Sequence, residues 1–157
     1  MDKPAAQWMV EPLKKYATFS GRARRKEYWW FQLFMILATL LAFAADAMIV
    51  GLDALIADAR GYVEVAVSLA LFLPGLAVAV RRLHDIGRRG WWLLMPGIPA
   101  LIVGGAAGAT AIGVEGAGKW LAAGGLLLGI VSVLLLVWYC SRGTIGENRF
   151  GPDPLGE

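Results

Sequence analysis

The chain has 157 residues, of which 58% are hydrophobic, with a mean hydropathy of +0.59 and a formal net charge of +3. That is too apolar for a soluble domain of ordinary size to hide in a core, which sets the soluble classes aside and makes lipid the expected solvent. A single cysteine, Cys140, excludes an internal disulfide.

Residues 1–26 read as a short interfacial helix. Pro12 suits a first helical position, Trp8, Leu13, Tyr16 and Phe19 offer an apolar side, and Lys14 and Lys15 a basic one. Ser20-Gly21-Arg22 should break that helix before the membrane is entered, leaving it on the inner leaflet. A helix needs about 20 mostly apolar residues to cross a hydrocarbon core roughly 30 Å thick. Tyr28 to about Val50, Tyr62 to Val80, Trp91 to Gly113 and Trp120 to Cys140 all meet that length. Lipid offers unpaired backbone groups no partner, so these segments should be helices. The fold class is therefore all-α: a polytopic membrane protein, a four-transmembrane-helix bundle with a short N-terminal interfacial helix. Its parts are a segment 1–26, a transmembrane domain 27–140 and a tail 141–157. An A-x-A within 42–47 imitates a signal-peptidase site, but the charged region before it is too long, and a retained anchor is expected.

Charge sets the orientation. Seven Lys and Arg precede the first span, four lie in the second connection and two in the tail, against only Arg60 and Lys119 in the first and third connections. The positive-inside rule then places both termini and the 81–90 connection in the cytoplasm. "RRKEYWW" (24–30) and "RRGWW" (88–92) echo one another, which a basic and aromatic inner interface explains without a repeat.

Within the spans, Pro74-Gly75 and Pro96-Gly97 with Pro99 should kink or locally unwind their helices, and the carbonyls they free need partners or line a cavity. Gly104-x-x-x-Gly108 and Gly125-x-x-x-Gly129 should let the third and fourth spans pack closely.

"GVEGAGKW" (113–120) imitates a phosphate-binding loop, but Trp120 stands where a hydroxyl must bind magnesium and helices replace the required strand, so it reads as a Gly-rich turn. Asp46 and Glu64 lie near the outer ends of their spans, with Arg60 close enough in sequence to pair with either, as a small outer polar cluster. The densest polar stretch is "RRLHDIGRRGWW" (81–92). If the second span continues as a helix, Arg81, His84, Asp85 and Arg88 share a face, with Arg81 and Asp85 at ion-pair spacing. One His, one Cys and no second carboxylate in this connection supply neither a nucleophile with its base nor a metal set. Nucleic acid is not expected, because Trp91 and Trp92 open a membrane span and are not free to stack on bases. An anionic lipid headgroup suits a basic cleft between helix ends.

"FSGRARRKEYWWF" (19–31), "RRLHDIGRRGWW" (81–92) and "GTIGENRFGPDP" (143–154), in this order with apolar spans between them, resemble the bacterial inner-membrane domain of unknown function 805 family, the YhaH-like proteins. The likeness runs from about Leu13 to Pro154, departing most in the Gly- and Ala-rich third span. It implies a polytopic bacterial membrane protein whose matching motifs belong together, and carries no activity. All three motifs fall on the expected cytoplasmic face. Arg22, Arg24, Arg25, Glu27, Arg81, Arg82, His84, Asp85, Asn148, Arg149 and Asp153, with Arg88, are thus expected to form one interlocked cap under the bundle. The expected function is non-enzymatic and without cofactor: the cap binds anionic lipid or a protein partner, which includes a second copy of the chain. A small transporter or channel subunit built around the Pro-Gly breaks is the runner-up, and a lipid-headgroup enzyme comes third.

Overall fold

The computed structural model describes residues 4–52 and 61–154, and these are helical apart from their turns and the tail. Helix α1 is Ala5–Lys14, α2 is Arg25–Val50, α3 is Tyr62–Asp85, α4 is Gly97–Ala111 and α5 is Ala117–Cys140. A 3₁₀ turn, Gly90–Leu94, precedes α4, and together they span Gly90–Ala111. Among the described residues, that stretch, α2, α3 and α5 are the four segments long and apolar enough to cross a membrane. Leu41, Ile98 and Leu126 are among the large apolar side chains left on the outside, as lipid allows and water would not.

Two antiparallel hairpins make the bundle. In the first, α2 and α3 run the length of one another. Gly75 makes room there for Met35, whose Sδ would lie 3.1 Å from any added Cβ. The Pro74-Gly75 step is therefore filled by a side chain and α3 stays helical through it. Proline has no N–H, so the carbonyl four residues back loses its helical partner. That carbonyl belongs to Ala70, and the Tyr16 hydroxyl donates to it at 2.6 Å. The other proline step does unwind: Met95 and Pro96 form a turn between the 3₁₀ segment and α4.

In the second hairpin α4 packs on α5, but the two small-xxx-small motifs do not make the contact. Gly104, Gly108, Gly125 and Gly129 face open space. The close approach is at Gly124, where a Cβ would lie 2.8 Å from Ile102 Cγ2. One position along a helix is a turn of about 100°, which carries the motif glycines off the face that meets α4.

The hairpins join at one end. Val131, Leu135 and Tyr139 of α5, four apart and so on one face, pack with Phe31 of α2 and with Leu71, Val78 and Leu83 of α3. Tyr28 and Tyr139 stack there at 4.5 Å. Helix α1 closes the flank, with Trp8 and Pro12 buried. Contrary to expectation, Pro12 lies in the last turn of α1, not the first. Its missing N–H costs the helix a bond, and the helix ends at Lys14, ahead of the Ser20-Gly21-Arg22 break.

Candidate functional site

The joined end is also the basic one, and its polar groups are built into the fold. Asp85 closes α3, and beyond it Gly87 adopts φ +73°, a left-handed turn that glycine enters without strain. The chain there leaves the helix, so Arg88 does not continue the face of Arg81 and Asp85. Its guanidinium lies over the Trp138 ring at 3.7 Å instead.

Asp85 is the hub. Its Oδ1 accepts from Arg22 Nε at 3.0 Å, its Oδ2 accepts from Arg82 Nη1, and its backbone carbonyl accepts from the Thr144 amide at 2.9 Å. Gly143 is the residue that lets the tail come so close, since a Cβ there would sit 2.4 Å from Asp85 Oδ2. Arg22 spends its other donors on the tail, Nη1 to the Gly146 carbonyl at 2.6 Å and Nη2 to the Thr144 carbonyl at 2.5 Å, with Asp153 Oδ1 at 3.9 Å. Arg82, wholly buried, caps α5: Nε donates to the Tyr139 carbonyl at 3.1 Å and Nη2 to that of Ser141. Arg25 adds a bond to the Cys140 carbonyl at 3.3 Å. The last carbonyls of a helix lack internal donors and carry its negative dipole end, so two guanidiniums are well placed there.

Arg81 does not pair with Asp85, despite the spacing. Glu27, in the first turn of α2, lies on its side and accepts from Arg81 Nη1, while Asp85 faces the tail. Nε and Nη2 of Arg81 are buried with no hydrogen-bond partner among the described residues. His84 Nδ1 meets the Gly21 carbonyl at 3.1 Å, and its ring stacks on Phe150 at 3.9 Å and 3°. Asn148 Nδ2 donates to the His84 carbonyl at 3.1 Å, Arg149 Nη2 to that of Gly87 at 2.6 Å, and Asp153 Oδ2 accepts from the Gly146 amide at 3.0 Å. The geometry thus joins Arg22, Arg82, His84, Asp85, Asn148, Arg149 and Asp153 directly or through the tail, while Arg81 and Glu27 form a separate buried pair beside them. Arg24 lies over the Trp8 ring at 4.5 Å, and Arg25 is exposed.

What the arrangement can do divides by burial. Arg22, Arg81 and Arg82 have their donors aimed inward and hold three chain segments together. Arg25, Lys26 and Arg89 are exposed at the same end, beside Trp29, Trp30 and Trp91. Thr144, Gly143 and Phe150 escaped the sequence reading because their roles rest on backbone groups and ring faces, which residue type does not announce.

At the opposite end Asp46 is buried, and its carboxylate accepts from the amides of Val63 at 3.0 Å and Glu64 at 2.7 Å. It therefore caps the start of α3 from the neighbouring helix. Glu64 joins it through its backbone, not its side chain; Arg60 lies outside the described residues. In the segment 113–120, residues 113–116 link α4 to α5 and 117–120 open α5, so a helix precedes it where a strand is required.

A family model described as Protein of unknown function (DUF805) matches residues 16–152. Inner membrane protein YhaI of Escherichia coli (strain K12) is 37% identical over 148 residues, 94% of this chain and 95% of that protein. Inner membrane protein YhaH of the same strain is 37% identical over 147 residues, again 94% and 95%. Uncharacterized protein YiiR is 30% identical over 142 residues, 87% and 85%. No solved structure matches the chain.

Proposed function

As the chain belongs to the DUF805 family and carries four membrane-length helices, we propose that it is a non-enzymatic inner-membrane protein whose basic end binds anionic lipid headgroups. In this reading the basic end faces the cytoplasm, and the interlocked charges are a rigid frame. The observation that carries it is the split of the cations. Arg22, Arg81 and Arg82 are buried, which leaves Arg25, Lys26 and Arg89 on the surface beside the tryptophans. Each Lys or Arg near an anionic membrane surface contributes about 1 kcal/mol, screened by salt. Tryptophan prefers the headgroup level, so this composition suits an inner-leaflet surface. The non-enzymatic reading is supported by the employment of the reactive side chains: Asp85 and Glu27 are tied to arginines, and His84 to Gly21 and Phe150. The transporter reading is weakened by Met35 and Tyr16, which occupy the Pro74 step.

Native mass spectrometry of protein extracted together with its lipids tests this. Anionic phospholipid should remain bound in preference to zwitterionic phospholipid. Equal retention of the two, or none of either, refutes it.

A further inference from the structure

We propose that one anionic phospholipid sits in the groove between the start of α2 and the end of α5, its phosphate at Arg25 and Lys26. This rests on the lipid reading above and gives it an address. The hairpins meet through the Tyr28 and Tyr139 rings, and an open groove of about 650 Å³ lies beside that contact. It is lined by Arg25, Lys26, Trp29, Trp30, Leu33 and Cys140.

The lining is graded along α2. Cations stand in the first turn, tryptophans one turn deeper and Leu33 a turn beyond, which at 1.5 Å per residue covers about 12 Å. That is the order of groups along a phospholipid: charged head, glycerol ester region, hydrocarbon. Among the described residues that line the groove there is no carboxylate. The nearest acid in sequence, Glu27, is turned inward onto Arg81, so a zwitterionic head would bring its own cation against two others. The Cys140 carbonyl engages Arg25 through Nη1 and fixes the guanidinium at the rim, where a fork of N–H donors matches phosphate oxygens. Arg24, the N-cap of α2, gives no side-chain cap, so the positive end of that helix adds to the same field.

Cys140 is the only thiol in the chain and is exposed in this lining, which makes it a built-in reporter. The full-length protein is placed in nanodiscs of phosphatidylcholine alone or mixed with phosphatidylglycerol, and labelling of Cys140 by an uncharged maleimide is timed. Phosphatidylglycerol should slow labelling. Arg25→Gln with Lys26→Gln should abolish that protection and weaken retention of the lipid about 30-fold, a factor of about 5 for each cation. Lys119→Gln, an exposed cation in the first turn of α5 at the opposite end of the bundle, should keep the protection. Should phosphatidylglycerol be retained by the protein without protecting Cys140, or protect it equally after Arg25→Gln with Lys26→Gln, the groove is wrong while the lipid reading stands. Retention of no anionic lipid overturns both.

Discussion

Replacing Asp85 by Asn tests the frame at its centre. The side chain keeps its shape but loses the charge that faces Arg22 and Arg82, whose side chains are only 1% and 0% exposed. Removing one partner of a buried ion pair costs about 3–5 kcal/mol, chiefly because the other charge is left uncompensated. The lower end applies here. Arg22 keeps the Thr144 and Gly146 carbonyls, Arg82 keeps those of Tyr139 and Ser141, and an amide oxygen can still accept one bond. A loss of about 3 kcal/mol shifts the docking equilibrium of the tail by about 100-fold. Arg142 and Arg149 are exposed tryptic sites in that tail, and cleavage follows the population of the open form when reclosing is fast. Cleavage of the detergent-solubilised variant should therefore accelerate by about two orders of magnitude. Arg22→Gln should act in the same direction, and the double variant should be less than additive, since both remove one contact. Wild-type cleavage kinetics in Asp85→Asn would refute the reasoning.

Gly143→Ala should mimic Asp85→Asn in the same tryptic assay, because its Cβ would meet the carboxylate at 2.4 Å, whereas Gly118→Ala, which meets nothing within 4 Å, should leave cleavage unchanged. Tyr16→Phe removes the donor to the Ala70 carbonyl and should lower stability by about 1 kcal/mol, read as a reduced melting temperature in detergent; an unaltered melt denies that bond its role. Asp46→Ala uncaps α3 at a cost of about 0.5–2 kcal/mol, and should speed hydrogen exchange at Val63 and Glu64 without touching the tail. Unchanged exchange at those two amides would show that the carboxylate does not hold them.

How much of this the sequence reveals depends on whether the cause is carried by residue type. Membrane spans are legible because lipid penalises every unpaired backbone group over about 20 residues, a demand that leaves its mark on composition. The carbonyl freed by Pro74 is legible for the same reason, but its partner is not: Tyr16 lies 54 residues away, and nothing local couples them. Asp46 stands out as a charge in an apolar span. Its partners are two amides that become orphans only because α3 starts at Tyr62, so a search for oppositely charged side chains passes them by. Spacing misleads in two places. Arg81 and Asp85 are four apart on one helix, yet Glu27 and the tail draw them to different neighbours. The paired glycines of α4 and α5 are spaced for contact, yet Gly124 makes it.

The frame also bears on how one short set of motifs can supply both a folded lock and a basic surface. Arg22, Arg81 and Arg82 are buried beside Glu27, Asp85 and Asp153, so the lock is close to neutral within itself. Were these guanidiniums needed to supply the basic surface, burying them would remove the charge that the proposed lipid contact requires. Because each has a carboxylate near it, folding withdraws cations and anions together, and the positive field at this end is left to Arg25, Lys26, Arg89 and their exposed neighbours. The two roles are then separable by substitution. Changes inside the lock should act on the tail and on stability, and changes outside it on lipid, even where both remove an arginine from the same short motif.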